Sequence, residues 1–165
     1  MSRATISARI KVDLTSSGCF NIFERLRWTN NIDQFHSWFD KTVSGKTHVE
    51  AWFIQRAASQ EQFHTIGSTG SNLAVDLWKI TGLYSLNDDD NTETTFQDLI
   101  ETIRATFRTD YNLNGTCRTI CPEWGPGAGR FGIQCNVIDE RMFCRKVLCH
   151  YCELSLATEY QTSRS

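Results

Sequence analysis

Residues 146–157 place the strongest constraint on the fold, because apolar and mixed side chains alternate along them. A period of two is typical of a β-strand, whose successive side chains point to opposite faces of a sheet. The predicted apolar face carries Leu148, His150, Cys152, Leu154 and Leu156. The opposite face carries Cys149, Tyr151, Glu153 and Ser155. Since an apolar strand face must be covered, the chain is expected to pack other elements on a sheet.

Further strands are indicated by segments rich in branched and aromatic residues, at positions 19–28, 48–58, 72–86, 116–124 and 131–139. Between two of them, residues 59–71 are polar and contain two glycines, which predicts a long and functionally relevant loop. Residues 125–130 predict a glycine-rich hairpin connection. The polar residues 158–165 are predicted to form a loose tail.

Three helices are predicted from apolar residues that recur at helical spacing. Residues 2–14 carry Ile6, Ile10 and Leu14, and residues 32–39 carry a short aromatic stripe. The clearest helix follows the acidic residues 88–90, with Asn91 or Thr92 expected to cap it through the side chain. Its stripe consists of Phe96, Leu99, Ile100, Ile103 and Phe107.

This succession of elements predicts one α+β domain over residues 1–165, with a mainly antiparallel sheet and the helices packed on one side. Strict alternation of strand and helix is missing, which argues against a doubly wound nucleotide-binding fold. The glycine-rich residues 125–130 lack the Lys-Ser or Lys-Thr pair of a phosphate-binding loop.

The charge and the hydropathy of the sequence argue against two classes of function, binding to DNA and insertion into a membrane. The formal net charge of -2 disfavours sequence-independent binding to DNA phosphates. No apolar run is long enough to span a bilayer, and residues 1–14 lack the apolar stretch of a secretion signal. We therefore expect a soluble protein made in the cytoplasm, without a membrane partner.

Seven cysteines and four histidines raise the question of a metal or redox site. Cys149 and Cys152 lie three positions apart on a strand, so they point to opposite faces and cannot hold one metal without a bend. His150 is expected to be a hydrogen-bonded core residue, and most cysteines to be small buried apolar residues. No catalytic residue, metal or cofactor is predicted, although a Cys/His metal or redox protein remains an alternative.

Several blocks, taken in order, resemble the tail-terminator and head–tail joining proteins of tailed bacteriophages. They cover nearly all of residues 5–158 and are FERLRW (23–28) with the helix at 35–39, AWFIQR (51–56), WKITGLYSLND (78–88), TTFQDLIETIR (94–104), MFC (142–144) and VLCHYCELSL (147–156). The succession carries the resemblance, above all a strand ending in Gly82-x-Tyr84-x-Leu86-x-Asp88 that leads into an amphipathic helix. Four cysteines, Cys117, Cys121, Cys135 and Cys144, do not belong to the resembling pattern.

The resemblance implies a structural virion protein of the phage neck without catalytic residues. It would form a ring, commonly a hexamer, that caps the tail tube, ends its polymerisation and joins the tail to the head connector. DNA would pass through the lumen without specific binding. The resemblance leaves open a neighbouring role as a stopper or connector protein of the neck.

A ring built from one chain needs contacts between two different surfaces of each copy. We expect such contacts in loop 59–71, in loop 124–130, or at strand edges. Trp124 is either an interface anchor or a core residue, and the alternating arginines at 25 and 27 face either an interface or water. The interface candidates are Arg25, Arg27, Gln60, Gln62, Phe63, His64, Trp124 and Arg130.

Overall fold

A computed structural model describes residues 3–43, 45–63, 71–87, 90–121 and 132–163. Its helices are α1 (Arg3–Ser16), α2 (Ile32–Phe39) and α3 (Thr92–Thr109). Its strands are β1 (Ile22–Phe23), β2 (Asp40–Val43), β3 (Lys46–Phe63), β4 (Ser71–Ser85), β5 (Thr119–Cys121), β6 (Gln134–Phe143) and β7 (Val147–Ser163). The predicted α+β class is confirmed.

The strands form one sheet whose centre consists of the three longest, β3, β4 and β7, in the order β1-β3-β4-β7-β5. β2 pairs with the start of β3, and β6 pairs with the first part of β7, while β5 pairs further along β7. All of these pairs are antiparallel except β1 with β3, which is parallel. The mainly antiparallel sheet predicted from the sequence is therefore confirmed.

One face of the sheet is covered by α1 and α3. The predicted stripes supply the contact, since Ile6, Ile10 and Leu14 of α1 and Phe107 of α3 are fully buried. They pack on alternate strand residues, which include Trp52, Trp78, Ile80, Leu154 and Leu156. The alternation predicted for residues 146–157 is confirmed, because Cys152 lies on this face and Cys149 on the other.

The opposite face is covered by α2, so the prediction that all helices lie on one side is wrong. Phe35 and Phe39 of α2 pack on Phe53 and Leu83 together with Tyr151. The central strands carry apolar residues at both alternate positions, and both of their faces must therefore be shielded from water.

The strand predicted for residues 19–28 is also largely wrong, since only Ile22–Phe23 pairs, as β1. The chain then crosses the α2 face of the sheet. Trp28 stacks on Phe143, with ring centroids 5.4 Å apart, and lies 5.8 Å from the ring of Phe53. Aromatic residues that suggested a strand serve here as a cover over the sheet.

Two predicted irregular segments are strands instead. Residues 59–63 extend β3 and pair with β4, and residues 158–163 extend β7. The remaining loop residues 64–70 and the last two residues of the tail lie outside the described part of the chain. Both extensions are polar in sequence, yet pairing in the sheet satisfies their backbone groups, and Thr158 is fully buried.

Smaller differences between the predictions and the structure concern the residues at which strands and helices begin and end. Of the strand predicted for residues 116–124, Thr119–Cys121 is paired, and the strand predicted for 131–139 lies at Gln134–Phe143. Asn91 occupies the N-cap of α3, but its side chain makes no capping hydrogen bond. The Thr92 hydroxyl instead accepts a bond from the backbone N–H of Asn87. The connection at 125–130 lies outside the described residues.

Replacing Thr158 by valine is expected to destabilise the fold by about 1–3 kcal/mol. The Thr158 hydroxyl accepts a hydrogen bond from the buried indole N–H of Trp78, 3.0 Å away. Valine has a similar shape but leaves this donor unsatisfied. Chemical unfolding measures the effect, with Gln161→Ala as a control on the exposed side of the same strand. Equal stabilities of the two variants would contradict a structural role for this part of β7.

Candidate functional site

The predicted interface residues are spread over several environments. Arg25 is exposed in the segment that follows β1, and Gln60 is exposed on β3. The backbones of Gln62 and Phe63 pair with β4 at the end of β3. The described residues do not include His64, Trp124 or Arg130. The candidates that the structure describes are therefore not brought together into one site.

The Arg27 side chain packs on aromatic rings within the subunit. Its guanidinium lies over the ring of Trp38, 4.0 Å from the centroid, and 5.1 Å from that of Phe23. A cation over an aromatic face is attracted by the ring quadrupole. Arg27 therefore helps to hold the segment after β1 against α2, whereas Arg25 remains available at the surface.

An exposed apolar patch lies on β6 and the start of β7. Ile138, Met142 and Leu148 are 55%, 64% and 39% exposed, and Glu140 lies between the first two on the same strand face. We call these four residues the β6-side patch. In the described part of the chain, β6 pairs only with β7, so its outer edge is open. Large apolar side chains next to an open strand edge are typical of an interaction surface.

Two further exposed apolar residues lie in the segments on either side of β1, and Lys41 Nζ lies 3.3 Å from the ring centroid of one of them, Phe20. Phe20 and Leu26 are 48% and 37% exposed, and Arg25 lies beside Leu26. No pattern in the sequence distinguished Phe20 or Leu26 from core residues, and Ile138, Met142 and Leu148 were likewise missed. Ile138, Met142 and Leu148 are exposed at strand positions that no helix covers, whereas Phe20 and Leu26 lie in the irregular segments that flank β1.

A charged cluster joins α1 to the end of α3. The Arg9 guanidinium binds Asp13 at 3.0 Å and Asp110 at 2.7 Å, so two carboxylates share one cation. Asp13 is buried, and its Oδ2 atom has no hydrogen-bond partner among the described residues. Burial raises the pKa of Asp13 to about 6, against the attraction of Arg9. The contact between the two helices is therefore expected to depend on pH.

A groove of about 690 Å³ lies at the end of the sheet where β2 meets β3. It contains His36 and His48, with an ion pair between Lys46 and Asp90 on its wall. Burial lowers the pKa of His48, which keeps its ring neutral near pH 7. The groove brings together two histidines but no cysteine among its described lining residues, so it does not form a Cys/His nucleophile pair.

The cysteines of the described segments are all free. Burial raises the pKa of Cys117 and of Cys149 to about 12, and it also raises the pKa of Cys19 and Cys152, so these thiols are protonated at neutral pH. His150 stacks on Phe96 and shares a hydrogen bond of 3.2 Å with Thr92, as expected of a core histidine. Within the described ranges, no three His, Cys, Asp or Glu side chains are arranged to hold a metal.

Comparisons with known proteins give no family assignment. No protein-family profile matches the chain, and no curated protein is significantly similar to it. None of the described helices combines the length and the apolar character that crossing a membrane requires.

Proposed function

We propose that this protein is a structural component of a tailed-phage neck that forms a ring, caps the tail tube, ends its polymerisation and joins the tail to the head connector. The observation that carries the proposal is that the subunit exposes large apolar side chains at two separate places, in the β6-side patch and in the segments on either side of β1. A subunit with two different contact surfaces can bind one copy on each side and close into a ring. We expect a hexamer.

The sequence resemblance supports the particular place in the virion. Its blocks fall on the elements that build the fold: Ala51, Trp52 and Phe53 of β3, the Gly82 region of β4, the stripe of α3 and the central part of β7. These residues form the core that determines the shape of the subunit. A subunit that occupies the same position in the neck as the resembling phage proteins would need a similar shape. The net charge of -2 suits a lumen through which DNA must slide without being held.

The partners under this proposal are further copies of the chain, the tail tube protein on one side and a connector or stopper protein on the other. The protein would act in the host cytoplasm during assembly and remain at the top of the tail in the virion. Its work is done by binding surfaces and requires no cofactor.

Removing the protein is expected to yield tail tubes that greatly exceed their normal length and lack heads. The reason is that a polymerising tube stops only when a cap occupies its growing end. Electron microscopy of lysates from a phage with a nonsense codon in the gene measures tube length, and a plasmid copy of the gene is the control.

Two outcomes would change the assignment. Tubes of normal length that fail to join heads would place the protein at the stopper position instead. Virions with unaltered tail and neck would overturn the proposal.

A further inference from the structure

We propose that α1 is a latch, a helix that can leave the rest of the subunit as a separate unit by turning about Gly18, and that ionisation of Asp13 favours the open state. The latch is a property of the single chain, so it goes beyond the proposed neck function and does not depend on it. Opening would expose an apolar face that α1 covers in the closed subunit.

Gly18 separates α1 from a segment that is fixed to the sheet. It ends the helix in the left-handed region, with a φ of +93°, and its N–H and that of the next residue bond to carbonyls of the last helical turn. Directly after it, the backbone N–H of Phe20 donates to Oε1 of Glu50 at 2.9 Å. The Asn21 side chain donates to three backbone carbonyls, in α2, β2 and β3. In the described part of the chain, α1 is therefore the only element before this anchor.

The contacts that hold α1 are made by its side chains. Ile6, Ile10 and Leu14 are fully buried in the main apolar cluster, and Ser7 Oγ donates to Glu24 at 2.8 Å. Among the described residues, α1 makes no backbone hydrogen bond to a strand. The helix can therefore separate without breaking the sheet, whereas a strand could not. Because α1 buries only one stripe, its opening requires less free energy than unfolding of the whole domain.

Asp13 opposes the closed state when it is ionised. Its side chain is buried, and Oδ2 has no hydrogen-bond partner among the described residues. The charged groups that act on it are Arg9 of α1 and Asp110 at the end of α3. The Arg9 guanidinium is shared, at 3.0 Å from Asp13 and 2.7 Å from Asp110, so one cation serves two carboxylates. A carboxylate taken out of water with incomplete compensation is costly, and turning α1 outward returns it to water.

The direction of the pH effect follows from the two states of Asp13. Burial raises its pKa to about 6 in the closed state, whereas an aspartate in water titrates near pH 3.9. The proton therefore stabilises the closed state fully below about pH 4, and this contribution is lost as the pH rises through 6. Between pH 5 and pH 8 the equilibrium is expected to shift about tenfold toward the open state. The open state remains a minority, because the apolar stripe still favours closure.

Hydrogen exchange of the purified full chain, corrected for the intrinsic effect of pH on exchange, measures this opening. We expect the amides of α1 to exchange faster than those of β4 and β7 at both pH values. Their protection should fall about tenfold from pH 5 to pH 8. The fall should disappear in Asp13→Asn, which cannot ionise. It should persist in the matched control Asp98→Asn, at an exposed position of α3 outside the groove between the two helices.

Arg9→Gln is a second variant with an opposite expected effect. It removes the shared cation and leaves both carboxylates, so the protection of α1 at pH 8 should fall below that of the wild type. If the amides of α1 exchanged no faster than those of β4 and β7, α1 would not open as a separate unit. A pH dependence that is unchanged in Asp13→Asn would exclude Asp13 as its cause. Either result would overturn the latch, and neither would affect the neck function, which tail length tests.

Discussion

Replacing Gly82 by alanine is expected to lower the free energy of unfolding by about 3 kcal/mol, the upper part of the range for overpacked cores. A Cβ atom at this position would lie 2.5 Å from Cζ3 of Trp52, 2.7 Å from its Cη2 and 2.8 Å from Sγ of Cys152. Both neighbours are fully buried, so neither can move aside without displacing others. For a chain of this size the melting temperature should fall by roughly 6–12 °C.

A double variant separates this clash from other effects of the substitution. Trp52→Phe removes the outer ring atoms that the new Cβ would meet, at the cost of a cavity and of the indole hydrogen bond to Glu50. The combination Gly82→Ala/Trp52→Phe is therefore expected to be less destabilised than the sum of its single variants. Strictly additive effects would show that Gly82 is not required by the approach of Trp52.

Replacing Asp13 by asparagine is expected to remove a pH dependence of stability of about 3 kcal/mol. The folded-state pKa of Asp13 is raised by burial to about 6, whereas an unfolded aspartate titrates near pH 3.9. Because the folded state favours the protonated form, this stabilising contribution is complete below about pH 4 and is lost as the pH rises through 6. Asparagine does not ionise, so Asp13→Asn should be the more stable protein at pH 8.

Chemical unfolding from pH 4 to pH 8 measures this difference. Asp33→Asn, at an exposed position in the first turn of α2, is the control and should change stability little. If Asp13→Asn instead proved clearly less stable than the wild type at pH 8, the Asp13 carboxylate would be a stabilising partner of Arg9 rather than a buried charge that opposes folding.

The helices and the central strands could be predicted from the sequence because buried apolar residues recur at a regular spacing in each of them, every three to four positions in a helix and every second position in a strand. Ile6, Ile10 and Leu14 recur every four residues, and the same kind of stripe identified α2 and α3. A stripe indicates that a helix packs, but it carries no information about which sheet face it covers. The position of α2 opposite α1 and α3 was therefore not predictable from its own residues.

Polar strands were missed for a related reason. Ser59 and Gln60 belong to β3 because their backbones pair with β4, and Thr158 is buried in β7 between β4 and β5, where the indole N–H of Trp78 bonds to it. Such pairing depends on residues distant in sequence, and local composition does not report it. Conversely, the aromatic residues around Trp28 suggested a strand although they pack over the sheet from outside it.

The candidate surfaces were only partly predictable. Arg25 is an interface candidate because it alternates with Arg27 on a predicted strand, and it is exposed in the structure, although the residues around it do not form a strand. Ile138 and Met142 gave no signal, because an apolar residue on a strand is ordinarily buried and only the tertiary arrangement leaves these two uncovered.

The most direct test of the neck function is the effect of the purified protein on a polymerising tail tube. The proposed function predicts that adding it to tube subunits during assembly stops growth, and that electron microscopy then shows short tubes with a ring at one end. Tubes that grow to the same length with and without the protein, and that carry no ring, would contradict it.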